Sequence, residues 1–229
     1  MYLLKTKNFG DIPLHQQRPL IDALLSDDQY ERLKDQKEPR IMCTHMPVHL
    51  LPETVFKGKV IYVYRNAKDV ATSMYHHYCN QISYPFDWDF EKFARYFMEG
   101  NTWFGPYGKH LQTYSKAKSD GKEILFISYE EMKKNPKDSI RKLAKFLGEE
   151  CDDELADRII DAVAVDKMRH NKNANGSQMR TGGTWKDGEF FIRKGQVGNW
   201  KEHFTDAKLL ADFEDFIKRE VPSDFIQDD

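Results

Sequence analysis

The stretch Val60-Ile61-Tyr62-Val63-Tyr64-Arg65-Asn66-Ala67-Lys68-Asp69-Val70-Ala71-Thr72-Ser73-Met74-Tyr75 decides the fold. Lys59–Tyr64 is a short β-branched and aromatic run flanked by polar residues, the pattern of a strand covered on both faces. Arg65 stands at the carboxyl end of that strand, Asn66 is a residue type that caps helices, and Asp69 completes a capping-box-like pair. Open parallel sheets bind ligands at the carboxyl ends of their strands. A helix N-terminus there offers unpaired N–H groups and the positive end of a dipole to an anion. Arg65 adds a guanidinium suited to bidentate contact, and Ser73, two helical turns along, adds a hydroxyl. From these residues alone, an anion site and an ordinary surface arginine before a helix carry about equal weight.

Outward from this stretch, Glu123-Ile124-Leu125-Phe126-Ile127 reads as a second buried strand, and Arg40-Ile41-Met42-Cys43 as a weaker third. Asn135-Pro136 opens a helix with proline at its first helical position. Ile140, Leu143 and Leu147 give that helix its apolar stripe, and Gly148 sits where a C-terminal cap belongs. Phe90, Phe93 and Phe97 repeat at helical spacing over 89–99. A last helix begins near Thr205 with Leu210, Phe213 and Ile217 on one face. The alternation of strands and helices predicts an α/β layer fold with a parallel sheet, formed as a single domain over residues 1–229. The Gly- and Asn-rich stretch 171–188 is a candidate lid.

Composition narrows the function classes. The chain has 229 residues, of which 40% are hydrophobic and 31% charged, so a packed globule is expected rather than a disordered tail. Thirty-five Lys and Arg against 37 Asp and Glu leave a net charge of −2, so any anion site must be a local cluster. Nucleic-acid binding has no basic stripe to support it, and nothing points to a membrane partner. The mean hydropathy of −0.74, with no long apolar run, excludes a membrane-spanning helix. Cys43, Cys79 and Cys151 show no CxxC spacing; they suit a reducing compartment and argue against a zinc site. No HExxH or carboxylate cluster suggests another metal. The expected location is cytoplasmic.

A second cluster adds weight to the anion site. In Phe191-Ile192-Arg193-Lys194-Gly195-Gln196-Val197-Gly198-Asn199-Trp200-Lys201, two cations sit beside a glycine that permits close backbone approach. Alone, Arg-Lys-Gly is a common solvated turn. With Arg65 and Ser73 it supplies the second jaw of a phosphate clamp.

Four blocks together carry a family resemblance: Thr44-His45-Met46-Pro47, Tyr64-Arg65-Asn66-Ala67-Lys68-Asp69-Val70-Ala71, Tyr129-Glu130-Glu131-Met132-Lys133-Lys134-Asn135-Pro136, and Arg193-Lys194-Gly195-Gln196-Val197-Gly198-Asn199-Trp200-Lys201. In this order the chain resembles the cytosolic sulfotransferases, from its first residues to about Phe213. The resemblance implies a P-loop-like, three-layer α/β fold and 3′-phosphoadenosine 5′-phosphosulfate (PAPS) as sulfuryl donor, without a metal. By the same resemblance Arg65 and Ser73 hold the donor's 3′-phosphate, joined by Arg193, Lys194 and the backbone at Gly195. Tyr129 corresponds to a residue that contacts the adenine. His45 corresponds to the base that takes the proton of a small acceptor such as a phenol, sterol, alcohol or amine. His45 stands above His15, His49, His76, His77, His110, His170 and His203 only through its Thr-His-x-Pro context.

The chain also departs from the family pattern. It has no Tyr-Pro-Lys-Ser-Gly-Thr-Thr-Trp-like loop for the 5′-phosphosulfate, and Gly108-Lys109 and Gly121-Lys122 lack the first glycine of a phosphate loop. The first strand and loop of the fold are therefore expected to be missing, and the chain as written is expected to transfer little or no sulfuryl group. The alternative is a non-catalytic module, or an inactive short isoform, that binds PAPS or its product PAP. Cys43 replaces a lysine near the catalytic histidine, and Val163-Ala164-Val165 replaces an adenine-stacking segment, which weakens aromatic stacking on the donor. The dimerisation pattern keeps Lys201 and Thr205 but has Asp206 and Leu210 in place of Val and Glu, which makes a homodimer by that route doubtful. Tyr75, Tyr78, Tyr84, Phe86, Trp88, Trp103 and Phe104 are candidates for an apolar acceptor cavity, and ordinary core packing accounts for most of them.

Overall fold

Strands and helices alternate along the chain, as the hydrophobic patterning requires. In chain order they are α1 (Tyr2–Thr6), β1 (Val60–Tyr64), α2 (Ala67–Asn80), α3 (Phe90–Met98), α4 (Tyr107–Ser119), β2 (Ile124–Ser128), α5 (Tyr129–Lys134), α6 (Pro136–Leu147), α7 (Asp153–Ala162), α8 (Val165–His170) and α9 (Ala207–Glu220). The computed structural model describes residues 1–10, 19–23, 31, 33–35, 38–82, 86–175, 184–186 and 191–227. Most of the candidate lid, and Tyr84, lie outside the described residues. Two compact units are built from interleaved segments: the first from Met1–Met46, Pro136–Gln178 and Phe190–Lys194, the second from Pro47–Asn135, Met179–Glu189 and Gly195–Asp229.

The second unit holds the sheet. β1 and β2 pair in parallel with Val60 opposite Ile124 and Tyr64 opposite Ser128. A parallel pair needs a long crossover, supplied here by α2, α3 and α4. On one face of the sheet α4 packs Leu111 and Tyr114 against Tyr62, Phe126 and Ile124. The larger core joins α2, α3 and α9 around Phe93, Phe97, Leu209, Phe213 and Phe216, with Trp200 and Phe204 from the turn before α9. Tyr75, Tyr78 and Phe86 pack into or against this core. Trp103 and Phe104 remain exposed at 45% and 37%.

One local expectation changes in this unit. The fully buried face of α9 is Leu209, Phe213 and Phe216, with Leu210 and Ile217 only partly buried at its margin. At Gly108, the second residue of α4, a Cβ would lie 2.2 Å from the Glu220 carbonyl oxygen at the end of α9. The glycine therefore serves close packing between two helix ends.

In the first unit α6 packs on α7, tied by an ion pair from Lys137 to Asp157 at 2.7 Å and another from Arg141 to Asp153. Gly148 ends α6 with φ +74°, as the sequence predicts. The Lys5 ammonium of α1 reaches the Leu147 carbonyl at 3.1 Å and the Glu149 carboxylate at 2.7 Å, placing a cation at the negative end of α6. Among the described residues the expected strand at 40–43 does not form, and Cys43 makes an isolated parallel bridge with Leu20. A single bridge leaves no ladder to propagate a strand.

Candidate functional site

The β1–α2 junction is built as the sequence predicts at Asn66 and differently at Asp69. Asn66 caps α2, its side-chain oxygen accepting from the Lys68 N–H at 2.9 Å. The reciprocal half of the box comes from Glu130 on α5, whose carboxylate accepts the Asn66 N–H at 2.9 Å. Asp69 is thereby released for another task. At 1% exposure, its carboxylate accepts from the Gly198 N–H at 2.8 Å, the Trp200 N–H at 3.0 Å and the Arg65 guanidinium at 2.9 Å.

That carboxylate joins two blocks far apart in sequence. Gly198 lies at φ +78°, a left-handed conformation that suits glycine, and begins the 3₁₀ turn Asn199–Glu202. Arg65 also donates to the Gln196 carbonyl at 2.7 Å, so its guanidinium lies against the residue that follows Gly195. The aromatic ring of Tyr129 lies 4.4 Å from the centre of that guanidinium, within cation–π range. Burial raises the Tyr129 phenol above its ordinary pKa, with Arg65 acting in the opposite direction. The Arg65 backbone carbonyl accepts from the Tyr107 hydroxyl at 2.5 Å, and the Arg65 side-chain Nε is buried with no hydrogen-bond partner among the described residues. Ser73 is exposed on α2, one turn beyond Asp69. Gly195 has φ +65°, as expected of a glycine that turns the backbone sharply.

The remaining predicted site residues belong to the first unit. The Ile192 carbonyl accepts from Arg169 of α8 at 3.2 Å, and the Arg193 carbonyl accepts from the same guanidinium. The Asn175 side chain donates to the Arg169 carbonyl at 2.9 Å. Arg193 is half-buried and Lys194 exposed.

His45 follows the Cys43 bridge. Its backbone N–H and its ring Nδ1 both contact Asp22 Oδ2, at 2.7 and 2.8 Å. Asp22 Oδ1 accepts from the Thr44 hydroxyl at 2.5 Å, and that hydroxyl accepts from the Met46 N–H at 3.0 Å. Burial pushes the Asp22 carboxyl up, but the hydrogen bonds from Thr44 and His45 and the charge of His45 outweigh it and leave the pKa lowered. The carboxylate is 13% exposed and the imidazole 47%.

The sulfotransferase domain family matches residues 5–224. The chain belongs to the sulfotransferase family. Sulfotransferase 1 family member D1 of the mouse, Mus musculus, is 37% identical over 191 residues, covering 82% of this chain and 64% of the relative. Sulfotransferase 1B1 of the dog, Canis lupus familiaris, is 35% identical over 199 residues, covering 86% of this chain and 67% of its own length. Among solved structures, a retinol dehydratase in complex with androsterone and the inactive cofactor PAP superposes with a TM-score of 0.76 at 29% identity. That likeness covers 85% of this chain and 57% of the dehydratase chain. A mouse sulfotransferase complexed with PAP gives 0.74 at 29% identity, covering 87% of this chain and 72% of the other. The α/β class expected from the sequence is therefore the class of the family.

The structure brings Arg65, Tyr129 and the Gln196–Trp200 stretch of this sulfotransferase-family chain into contact around Asp69. Asp22, Arg169 and Glu130, which hold candidate site residues, escaped the sequence reading. Each acts on a residue remote in the chain, and no local spacing announces it.

Proposed function

We propose that this chain belongs to an enzyme that transfers a sulfuryl group from PAPS to a hydroxyl or amine of a small acceptor in the cytoplasm. The observation that supports it most is the Asp69 junction: the Arg65 block and the Gln196–Trp200 block are held together by one buried carboxylate. Residues 1–229 are read as one domain, a reading supported by the single family match over residues 5–224.

In this reading Arg65 and Ser73 hold the donor's 3′-phosphate with Arg193, Lys194 and the Gly195 backbone, and Tyr129 contacts the adenine. The residues fit an anionic group. Among the described residues Arg65 Nε is a buried donor without a partner, at the carboxyl end of a strand, and a phosphate oxygen would supply an acceptor. Because Asp69 already neutralises the guanidinium, Arg65 supplies directed donors more than net charge.

When bound, the donor supplies an electrophilic sulfur and a phosphate oxygen that leaves with the electron pair of the broken sulfur–oxygen bond. His45 accepts the acceptor's proton as the acceptor oxygen or nitrogen bonds to sulfur. The half-exposed imidazole is open to a substrate from solvent, and its Asp22 contact orients it.

Titration calorimetry with PAP on the wild-type chain and on Arg65→Ala tests the clamp. Loss of charge-assisted hydrogen bonds worth about 1.5–3 kcal/mol should weaken binding at least about tenfold. Equal affinities would overturn the clamp. A mass-spectrometric assay for sulfated product, with PAPS and a phenolic acceptor, tests transfer. Binding without transfer would make the chain a nucleotide-binding module instead.

A further inference from the structure

We infer that Asp22 is the positioning residue of His45: its carboxylate fixes the imidazole as the Nδ1–H tautomer, so that Nε2 is the nitrogen that receives the acceptor's proton. The inference rests on the proposed sulfuryl transfer for its purpose, but its geometry stands by itself. An ionised carboxylate has no proton to donate, so the 2.8 Å contact between Asp22 Oδ2 and Nδ1 requires the proton on Nδ1. In a neutral imidazole the lone pair is then on Nε2.

Both carboxylate oxygens are committed. Oδ2 takes the backbone and ring N–H of His45, and Oδ1 takes the Thr44 hydroxyl, which in turn anchors the Met46 N–H. Three consecutive residues, Thr44 to Met46, are thus organised around one side chain from the 3₁₀ turn Ile21–Ala23. The carboxylate lies inside and the ring outside, so the contact aims the imidazole without closing it off. The hydrogen bonds that lower the Asp22 pKa keep it ionised, as orienting an imidazole demands. After proton transfer the same carboxylate faces an imidazolium and stabilises its charge. Nothing in the Thr-His-x-Pro block reveals this partner, because Asp22 lies outside it in the sequence.

Nuclear magnetic resonance on the ¹⁵N-histidine-labelled chain tests the inference, with His45 assigned through His45→Gln. In the wild type at neutral pH, His45 should show a protonated Nδ1 and an unprotonated Nε2. Asp22→Ala should populate the other tautomer, and Asp22→Glu should restore the first. An Nε2–H tautomer in the wild type overturns the inference whether or not any variant folds. So does an unchanged His45 tautomer in Asp22→Ala when the other histidine signals keep their wild-type positions. Relative to whatever turnover the wild-type chain shows in the transfer assay, Asp22→Ala should lower kcat by about 10²-fold, the lower range of general-base contributions, with KM little changed. A chain with the expected tautomer but no transfer would sustain the positioning of His45 and overturn the proposed activity, so the two failures are separable.

Discussion

Two aspartates, one in each unit, do related work under different conditions. Asp69 is sealed at 1% exposure and spends its carboxylate on two backbone N–H groups and a guanidinium. Asp22 keeps 13% of its surface and spends its carboxylate on a hydroxyl, a backbone N–H and an imidazole that is itself 47% exposed. The first carboxylate shapes backbone, so its loss should be felt by the fold. The second aims a side chain, so its loss should be felt mainly by chemistry. A functional cation or base is only as useful as the carboxylate that holds it, and burial decides which property suffers when that carboxylate goes.

The largest expected effect is therefore Asp69→Ala. It strands the Gly198 and Trp200 N–H groups beneath the surface and leaves Arg65, only 20% exposed, without its counter-charge. Breaking a buried charged contact from one side typically costs about 3–5 kcal/mol, a large part of a domain's total stability. Denaturant unfolding of Asp69→Ala should show a loss of about 3 kcal/mol, the low end because Arg65 can partly rehydrate. A loss under about 1 kcal/mol would mean that the junction is not the structural lock its geometry describes.

The contrast also marks what the sequence makes legible. The strand Val60–Tyr64, the cap at Asn66, the helix from Pro136 to the cap at Gly148 and the turn at Gly195 are all written in contiguous residues, because each rests on local backbone chemistry. The strand expected at 40–43 fails because Ile41 has apolar character but, among the described residues, only Cys43 forms a bridge. Asp69 is read from local spacing as half of a capping box, and Glu130, more remote in the chain, takes that role. Asp206 stands where the family's dimerisation pattern has valine, and it caps α9 by accepting the Leu209 N–H at 2.7 Å. Asp22 and Arg169 are invisible for a common reason. Charged side chains that act across the fold have no period and no neighbouring signature.

A smaller effect, with a pH signature, is expected at Asp22. Its folded-state pKa is lowered, so it stabilises the fold above the ordinary carboxyl range and that contribution is lost as pH falls through the folded value. Asp22→Asn should cost about 1 kcal/mol at pH 7, the scale of a net hydrogen bond beside a partly exposed partner. The gap between wild type and variant should persist to about pH 5 and close below the unfolded carboxyl pKa of about 3.9. Thermal unfolding across that range measures it. A gap that widens towards acid would reverse the sign and rule out a stabilising, ionised Asp22.

The smallest effect separates the two aspartates most finely. Thr44→Val removes the hydroxyl that donates to Asp22 and accepts from Met46, while keeping the β-branched shape. Alone it should cost no more than about 1 kcal/mol. In a double-mutant cycle with Asp22→Ala the two losses should fall short of additive by about 0.5 kcal/mol or more, because both remove the hydroxyl–carboxylate bond. The same hydroxyl loss should leave the His45 tautomer intact, since the ring contact is made by Oδ2 and the hydroxyl contact by Oδ1. Strict additivity would uncouple Thr44 from the carboxylate. A tautomer change in Thr44→Val would instead make the hydroxyl, and not the carboxylate alone, the group that aims the ring.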